Sequence, residues 1–388
     1  MKYRILYTSS FADMVGGGQK SLFLLLKALD AERFEPILVL PRPGTLVGAA
    51  HALHIETEIV PMVPLKIPNF IKVLKAVFRL RAVIRERKID MVHTDSPRPT
   101  FYAALAKVFL NVPLIWQVRT AETQDRYFER ILFAFSDKII AVSEACARKF
   151  QAFKGFSGKV AVVYNGIDLE EFNGRIDAGP VRRSFGIEDA DVVIGCVSRI
   201  HRGKGLEDLL AAARRVVDDA PKTKFLIVGE AYNDSGLEAS LRDRLSSSGL
   251  RGKVLLIGFR EDVREIMAAI DIFVLPTCLA EGFSRSILEA MASSRPVITT
   301  PLGGNTEAVV EGVTGLFVPP HDPARLAEAI MELVKDELRR KEMGMAGRER
   351  VAGSFAVQDV TKKIENIYLT LAAQSGIRKI KGYGADRK

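Results

Sequence analysis

Residues 192–217 read VVIGCVSRIHRGKGLEDLLAAARRVV, and this stretch decides the fold class. The short, largely apolar run Val192–Val197 is typical of a buried β-strand. A loop of basic residues and glycines follows it. The segment Leu206–Val217 then carries apolar residues at the three- and four-residue spacing of an amphipathic helix. A strand that leads through a short loop into a helix predicts one unit of a parallel sheet covered by helices.

The same alternation runs along most of the 388-residue chain. The first series of predicted strands is Arg4–Tyr7, Glu35–Leu40, Met91–His93, Leu114–Val118, Lys138–Val142 and Val160–Tyr164. The second series is Val192–Val197, Lys224–Val228, Val254–Ile257, Ile272–Leu275, Val297–Thr299 and Gly315–Val318. Two such series predict an α/β protein with two Rossmann-like, doubly wound domains that face a central cleft.

Turn signals within Asn165–Pro180 predict the boundary between these domains. We therefore expect a first domain over residues 1–170 and a second over 171–370. A last helix, about Ser354–Ala373, precedes a basic tail. The C-terminal region 355–388 is a candidate to pack back on the first domain. Ligands of open α/β sheets bind beyond the carboxyl ends of the strands, so the residues that follow strands are the candidates for function.

Composition excludes several protein classes. Hydrophobic residues make up 48% of the chain and charged residues 27%, which is typical of a globular enzyme and not of a disordered, collagen-like or disulfide-rich protein. The three cysteines lie far apart and the five histidines form no compact ligand motif, so we expect no metal and a reducing, cytoplasmic setting. No apolar run reaches the roughly 18 residues of a membrane span.

The positive charge is concentrated in the first half of the chain. The net charge is +9, and residues 1–170 hold 24 Lys and Arg against 16 Asp and Glu. An anionic partner is expected for this half. We expect no nucleic acid, because no motif combines aromatic and basic residues in the manner of a nucleic-acid-binding surface. An anionic membrane surface fits the charge.

The stretch Lys66–Lys88 is the most basic, with eight basic residues and one acidic residue. Phe70, Leu74, Val77, Phe78 and Ile84 recur within it at roughly helical spacing. One interpretation is an ordinary packed helix with a solvated cationic face. The other is a docking surface for anionic lipid, and the sequence leaves both open.

Two glycine-containing segments after strands are suited to binding phosphate. Gly16–Gly18 follows the first strand and precedes the helix Ser21–Leu29, whose N-terminus offers free N–H groups. The alternative is a flexible turn. Arg199 and Lys204 follow Val192–Val197 with glycines beside them, as in a phosphate clamp. The alternative there is a solvated basic loop.

The segment Glu281–Glu289, EGFSRSILE, is the sharpest signal. Glu281 lies in the loop after the strand Ile272–Leu275, and Glu289 falls eight residues later, inside the predicted helix. Eight residues span about 12 Å of helix axis, so the two carboxylates can contact different parts of one long ligand. Carboxylates accept strong hydrogen bonds from sugar hydroxyls. The alternative is a pair of exposed helix glutamates.

Taken in order, these segments resemble those of the retaining GT-B glycosyltransferases of family four, the group 1 glycosyltransferases. The matching motifs are Gly16–Gly18, Ala141–Glu144, Asn165–Asp168, Ser198–Arg199 with Lys204–Gly205, Val228–Glu230, Gly258–Phe259, Glu281 with Glu289, Pro296–Ile298, Gly303–Gly304 with Glu307, and Gly315–Pro320. The resemblance implies transfer of a sugar from a nucleotide diphosphate-sugar, most commonly a UDP-sugar, to a hydroxyl of a glycan or lipid-linked acceptor. It also implies no metal or other cofactor and a place in bacterial lipopolysaccharide or surface polysaccharide synthesis, peripheral on the inner face of the cytoplasmic membrane.

The resemblance also implies which residues hold the nucleotide part of the donor. Arg199 and Lys204 are expected to hold the diphosphate and to stabilise it as it departs. Gly17 and Gly18 are expected to approach the phosphates from the first domain. Arg260 marks the place where the nucleobase meets the backbone.

A second set of residues is implied for the two sugars of the donor. Glu281 is expected to bind the transferred sugar, and Gly282, Phe283 and Ser284 are expected to supply backbone contacts. Glu289 is expected to bind the ribose hydroxyls.

One position departs from the family pattern. Many relatives have a histidine after the strand that matches Leu114–Val118, whereas this chain has Arg119. An arginine cannot act as a neutral base, so we expect Arg119 to contact sugar hydroxyls or an anionic acceptor. His93 and Asp95 end another strand, where capping of the loop and catalysis are both open and capping is favoured.

Other functions are compatible with the same architecture. A nucleotide-sugar epimerase and a phosphorylase are alternative enzymes, and a non-catalytic sugar-nucleotide-binding protein is the third alternative. The presence of Arg199, Lys204, Glu281 and Glu289 together argues against a non-catalytic protein, since such a protein need not keep all four.

Overall fold

A computed structural model of the chain describes residues 2–14, 16–123, 125–173, 176–231, 235–247 and 249–377. The chain forms two compact units, which we call unit 1 (Met1–Gly166 with Val357–Lys388) and unit 2 (Ile167–Ala356). The basic tail predicted after the last helix lies outside the described residues from position 378 onward.

Unit 1 is a parallel sheet with helices on both faces. Its strands are β1 (Tyr3–Thr8), β2 (Phe34–Leu40), β3 (Glu56–Ile59), β4 (Met91–Thr94), β5 (Leu114–Val118), β6 (Lys138–Ala141) and β7 (Val160–Val162). Its helices are α1 (Gly17–Ala28), α2 (Thr45–Ala52), α3 (Phe70–Glu86), α4 (Pro97–Ala106), α5 (Arg126–Phe135), α6 (Glu144–Arg148), α7 (Phe156–Lys159) and the C-terminal α16 (Val357–Gln374). The described strands lie in the order β3-β2-β1-β4-β5-β6-β7.

The core of unit 1 lies on both faces of this sheet, because side chains alternate along each strand. Ile5 and Tyr7 of β1 pack with α1 and α16, whereas Leu6 between them packs with α3 and α4 on the other face. Helix α16 is held in unit 1 by the hydroxyl of Tyr368, which lies 2.9 Å from the Tyr7 hydroxyl, and by Glu365, which accepts the Asp30 N–H at 2.8 Å.

Unit 2 repeats the parallel arrangement. Its strands are β8 (Val192–Val197), β9 (Thr223–Val228), β10 (Val254–Gly258), β11 (Ile272–Leu275), β12 (Val297–Thr299) and β13 (Gly315–Phe317). Its helices are α8 (Gly179–Ser184), α9 (Leu206–Asp219), α10 (Ser235–Ser247), α11 (Val263–Ala269), α12 (Arg285–Ala292), α13 (Asn305–Ala308), α14 (Pro323–Lys335) and α15 (Glu337–Ser354). The described strands lie in the order β10-β9-β8-β11-β12-β13. The predicted α/β class and the two doubly wound parallel sheets are confirmed.

Two elements differ from the sequence prediction. Strand β3 was not predicted, since Glu56–Ile59 is an edge strand of partly exposed residues with no apolar run. Helix α1 begins at Gly17 instead of Ser21, so Gly17 and Gly18 form its first turn and Gly16 precedes it. Glycine has a low helix propensity, which made the predicted helix start too late. Among the described residues, no helix combines the length and the apolar character that a membrane crossing requires.

Candidate functional site

The loops after β8 and β11 form the centre of the candidate site in unit 2. These two strands are neighbours in the sheet, with Ile194 opposite Ile272. From β8 the chain adds β9 and β10 on one side of β8, whereas β11 lies on the other side. The direction in which strands are added therefore reverses between β8 and β11. This is the position at which open α/β sheets bind ligands, beyond the carboxyl ends of the strands.

The two loops are locked together by backbone contacts. The Gly203 carbonyl accepts hydrogen bonds from the Cys278 N–H and from the Thr277 hydroxyl, both at 2.8 Å. Gly205 has a φ of +67°, and a Cβ atom there would lie 1.9 Å from the Pro276 carbonyl oxygen. A larger residue would therefore push the loops apart, and glycine is required at position 205.

Lys204 and Glu281 come together across these loops as an ion pair between Nζ and Oε1. Their side chains are 18% and 19% exposed, so the pair is largely shielded but reachable from solvent. The hydroxyl oxygen of Thr277 lies 3.3 Å from the same carboxylate oxygen. Sequence reasoning missed Thr277, because nothing in the pattern shows that this fully buried hydroxyl faces Glu281.

The backbone of Glu281 is fixed by a pair of glycines that follow β12. The Gly304 N–H donates to the Glu281 carbonyl at 2.8 Å. Gly303 has a φ of +59°, and a Cβ there would lie 2.1 Å from that carbonyl oxygen. A Cβ on Gly304 would lie equally close to the Gly282 carbonyl. The glycine pair thus allows the Glu281–Gly282 backbone to lie directly against the next loop.

Arg199 lies on the same loop as Lys204, between β8 and a short 3₁₀ turn at Arg202–Lys204. Its side chain is exposed, and it makes no ion pair with any residue that the structure describes. The adjacent Ile200 N–H donates to the Glu230 carbonyl at 2.9 Å and ties this loop to the one after β9. The Arg199 guanidinium is therefore open to solvent, and Arg199 precedes Lys204 by five residues on the same loop.

The start of α12 carries the rest of the Glu281–Glu289 motif. Ser284 precedes the first turn, and the buried Phe283 ring contacts the Phe355 ring edge-on at 5.1 Å between centroids. Glu289 is not an exposed glutamate: its side chain is 5% exposed and pairs with Arg285, with 2.9 Å between Oε1 and Nε. The i,i+4 spacing of Arg285 and Glu289 is the sequence signal that indicates this pair.

Arg260 follows β10 at the same edge of the sheet. It makes a bidentate ion pair with Asp262 at 2.7 and 2.6 Å and lies 5.8 Å from the centroid of the Phe185 ring. The hydrogen bonds from Arg260 hold the pKa of Asp262 below its usual value. The Arg260 guanidinium is thus directed to the Asp262 carboxylate. The sequence analysis expects the nucleobase to contact the backbone at this position, and the backbone around Phe259–Arg260 is the part that could make this contact.

In unit 1 the structure brings Arg119 next to the first turn of α1. A Cβ atom on Gly18 would be in van der Waals contact with the Arg119 side chain, at 3.5 Å from Cδ. Arg119 donates to the Gln117 side-chain oxygen at 2.7 Å and to the Asn165 side-chain oxygen at 3.0 Å. The predicted residues Gly18 and Arg119 therefore share one place, at the carboxyl end of β5 and the N-terminus of α1.

His93 and Asp95 are buried at the end of β4. His93 Nδ1 lies 2.6 Å from the Tyr368 hydroxyl of α16, and burial lowers the pKa of His93 to about 3. Burial raises the pKa of Asp95, whose Oδ1 accepts a hydrogen bond from the Ser96 hydroxyl at 2.8 Å. These contacts favour the structural, loop-capping interpretation of His93 and Asp95 over catalysis.

Comparisons with known proteins identify the family of the chain. Residues 15–171 match the model of Glycosyltransferase Family 4, and residues 191–336 match that of Glycosyl transferases group 1. The capsular polysaccharide biosynthesis glycosyltransferase CapM of Staphylococcus aureus is 28% identical over 82% of this chain and 87% of its own length. A GDP-mannose-dependent monoacylated α-(1-6)-phosphatidylinositol monomannoside mannosyltransferase of Corynebacterium glutamicum is 28% identical over 74% of this chain and 77% of its own.

Solved structures show the same fold. Anabaena HepE in complex with UDP-glucose has a TM-score of 0.83 and is 22% identical, with 95% of this chain and 99% of that chain covered. The two family models together extend over most of both units, and the two parallel sheets follow the GT-B architecture. The chain belongs to the group 1 glycosyltransferases of family four.

Proposed function

We propose that this glycosyltransferase moves a sugar, with retention of its anomeric configuration, from a nucleotide diphosphate-sugar to a hydroxyl of a glycan or lipid-linked acceptor. The observation that carries the proposal is the Lys204–Glu281 pair at the β8–β11 switch point, with Arg199 on the same loop. Cations suit the diphosphate of such a donor, and a carboxylate suits the hydroxyls of its sugar.

Charge is the main difficulty of this reaction. When the bond between the sugar and the diphosphate breaks, the leaving group gains negative charge and the sugar becomes oxocarbenium-like. Arg199 and Lys204 stabilise that charge. Lys204 has three N–H donors, and the ion pair with Glu281 occupies one direction, so the others remain for phosphate oxygens. Because these side chains supply positive charge, we propose that no metal or other cofactor takes part in the transfer.

The proton balance of the transfer needs no separate base. The acceptor oxygen forms a bond to the anomeric carbon on the face from which the diphosphate departs, and the acceptor proton passes to the departing phosphate oxygen. Glu281 accepts hydrogen bonds from the sugar hydroxyls and orients the ring. Its backbone is held by Gly303 and Gly304, so that the carboxylate keeps one position.

Glu289 is proposed to accept hydrogen bonds from the ribose hydroxyls. Its ion pair with Arg285 fixes the carboxylate at the start of α12, with one oxygen paired to the guanidinium. The nucleobase is proposed to meet the backbone at Arg260. A UDP-sugar is the proposed donor, supported by the UDP-glucose complex of HepE, while the name of the C. glutamicum relative makes a GDP-sugar the donor to test against it.

The acceptor side is proposed to lie in unit 1, with Arg119 as a contact for acceptor hydroxyls or for an anionic acceptor group. We propose an acceptor of bacterial lipopolysaccharide or surface polysaccharide synthesis, and a location on the inner face of the cytoplasmic membrane. The name of the CapM relative supports the polysaccharide class.

Helix α3 supports docking to an anionic membrane. Its inner residues Val77 and Ile84 are buried, as in an ordinary packed helix. Its outer face, however, exposes Phe70 (64%), Ile71 (68%) and Phe78 (65%). We call this face, with Ile67 and Leu74, the α3 apolar stripe. A merely solvated cationic face would not carry such side chains, whereas a surface that inserts between lipid headgroups would.

The cations around the α3 apolar stripe are partly free for lipid phosphates. Arg79 and Arg87 are paired with acidic residues of unit 1, and Arg81 donates to backbone carbonyls. Lys72 and Lys75 are exposed and have no ion-pair partner among the described residues. Exposed ammonium groups beside exposed aromatic rings match an anionic bilayer surface in both charge and polarity.

The proposed transfer is tested by Arg199→Ala, with Arg202→Ala as the matched control on the same loop. With a donor and a panel of glycan and lipid-linked acceptors, Arg199→Ala should lower kcat/KM at least about 100-fold at an unchanged melting temperature, and Arg202→Ala should not. Near-normal turnover of Arg199→Ala would refute the assignment. The anomeric configuration of the product, read by NMR, tests retention.

Incubation of the donor without acceptor separates the alternative functions. Epimerised sugar would indicate an epimerase, and dependence on inorganic phosphate would indicate a phosphorylase. Nucleotide binding without turnover on the whole panel would indicate a non-catalytic protein. Melting temperatures with UDP, GDP and ADP identify the base, because a ligand that binds the folded chain raises the melting temperature by mass action.

A further inference from the structure

Three potential metal ligands of different chemistry meet on the surface of unit 2. They are the carboxylate of Asp208 in the first turn of α9, the thiol of Cys278 in the loop after β11, and the imidazole of His321 before α14. Helices α9 and α14 pack against each other, which brings the first and last of these segments together. None of the three residues has a role in the proposed transfer.

The three ligand atoms form a nearly regular triangle. Cys278 Sγ lies 3.6 Å from Asp208 Oδ2 and 3.5 Å from His321 Nδ1, and Nδ1 lies 3.6 Å from the same Oδ2. A point at the centre of this triangle is about 2 Å from each atom, close to the 2.0–2.3 Å of zinc bonds to nitrogen, oxygen and sulfur. The side chains as placed thus already have the spacing of zinc ligands.

The arrangement differs from that of a catalytic cysteine. In a Cys-His-Asp relay the thiol and the carboxylate contact opposite nitrogens of the imidazole, so that a proton can pass through the ring. Here both contact Nδ1 of His321. Convergence of sulfur, oxygen and nitrogen on one point suits a bound cation and does not suit a relay.

The electrostatic surroundings also favour a cation. The Asp208 carboxylate places a negative charge 3.6 Å from the Cys278 sulfur. The Asp208 side chain is 22% exposed and that of His321 is 73% exposed, so an ion can enter from solvent. A divalent cation would offset the negative charge at this point.

We propose that Asp208, Cys278 and His321 form a zinc site, with water as the fourth ligand. The mixed sulfur, nitrogen and oxygen set is that of a thiophilic divalent ion and not of Mg²⁺ or Ca²⁺. The sequence predicts no metal because the ligands are far apart along the chain and form no compact motif. A bound ion joins α9 to the loop that carries Glu281, and Asp208 follows Lys204 by four residues. We therefore expect the ion to restrain both donor-binding loops.

The test uses the full chain without an affinity tag, stripped with EDTA and dialysed. Zn²⁺ alone should bind with one ion per chain and raise the melting temperature. Co²⁺ should give a thiolate-to-metal charge-transfer absorption. Zn²⁺ should also slow alkylation of Cys278 at least about 10-fold, because metal coordination withdraws the thiolate. Cys146 and Cys196 are buried and should not react in the folded chain.

Variants decide whether these three residues hold the ion. His321→Ala should lower the Zn²⁺ affinity at least about 10-fold, and Cys278→Ser should abolish the Co²⁺ charge-transfer band. His54→Ala is the matched control, since His54 is also exposed with a positive φ, of 56°. His321 is exposed, so its replacement decides the result even if Cys278→Ser folds poorly. Absence of stoichiometric binding, or equal binding by His321→Ala and the unaltered chain, would overturn the proposal. Direct metal binding is measured without sugar transfer, so this test is independent of the proposed function.

Discussion

Replacement of Phe70 and Phe78 by serine should weaken membrane binding about 100-fold. Each ring is about two-thirds exposed on the α3 apolar stripe. A phenylalanine side chain offers roughly 150–250 Å² of surface, so each ring presents on the order of 100–150 Å². Full transfer out of water at about 25 cal/mol per Å² is worth about 3 kcal/mol per ring. Insertion to half depth gives about 1.5 kcal/mol, which is about tenfold in affinity for each ring.

The assay is sedimentation with phosphatidylglycerol vesicles at low and high salt, with phosphatidylcholine vesicles for comparison. Leu338→Ser with Met345→Ser is the matched control, because these residues are 67% and 55% exposed on α15 of unit 2. The control should bind like the unaltered chain. All variants should keep the melting temperature, since the replaced side chains lie outside the core.

A second pair of replacements separates insertion from attraction between charges. Lys72→Gln with Lys75→Gln should weaken binding by about 1 kcal/mol per lysine at low salt, and this difference should fade at high salt as screening increases. The loss from the phenylalanine replacements should persist at high salt. If the phenylalanine variant binds as well as the unaltered chain, the rings do not insert; if the unaltered chain never sediments with anionic vesicles, α3 is not a docking surface.

Further variants test the packing of each unit. Gly303→Ala should lower both activity and stability more than Gly312→Ala: both glycines have a positive φ, but a Cβ at 303 meets the Glu281 carbonyl while one at 312 meets nothing within 4 Å. Equal melting temperatures and activities would contradict the proposed role of Gly303. His93→Gln should reduce the loss of folding stability between about pH 6.5 and pH 3, measured as urea midpoints. The folded state keeps His93 neutral because burial lowers its pKa to about 3, whereas the unfolded chain takes up the proton. Falling pH therefore favours the unfolded chain in this window. An unchanged acid profile would show that His93 does not govern it. Arg119→Lys should lower kcat/KM at least about tenfold, since a lysine cannot reproduce the two hydrogen bonds to Gln117 and Asn165, and normal kinetics would exclude this orientation.

The fold could be predicted because buried parallel strands are short apolar runs, and such runs are visible in a single sequence. Strand β3 could not be predicted, because Glu56–Ile59 lies at the sheet edge and has no apolar run. The start of α1 was misplaced because helix propensity disfavours glycine, whereas Gly17 and Gly18 form the first turn of this helix and Gly18 lies beside Arg119. Local propensity therefore failed at glycines that the fold places inside a helix.

The candidate site was predictable only in part, for a related reason. Lys204 and Glu281 follow strands, and their position along the chain indicates a role at the sheet edge. The contacts that fix them are not visible in the sequence. Thr277 reaches Glu281 through a buried hydroxyl, and the Asp208–Cys278–His321 triangle joins residues that are up to 113 positions apart.

Two ion pairs of the candidate site in unit 2 are better explained by the proposed function than by stability. Lys204–Glu281 and Arg285–Glu289 both lie where water is largely excluded, and the latter pair is 7% and 5% exposed. Removing two charges from water costs about as much as their attraction returns, so well-packed apolar residues would stabilise the fold at least as well. Replacing one partner of such a pair by a neutral residue lowers the stability of the fold, however, because the other charge is left unpaired in a poorly hydrated place. Charges kept under these conditions are weakly screened by water, so their free donor and acceptor positions can interact strongly with the phosphates and hydroxyls of the proposed donor. The proposed binding site for a charged, hydroxyl-rich donor gives these charges a use that folding alone does not.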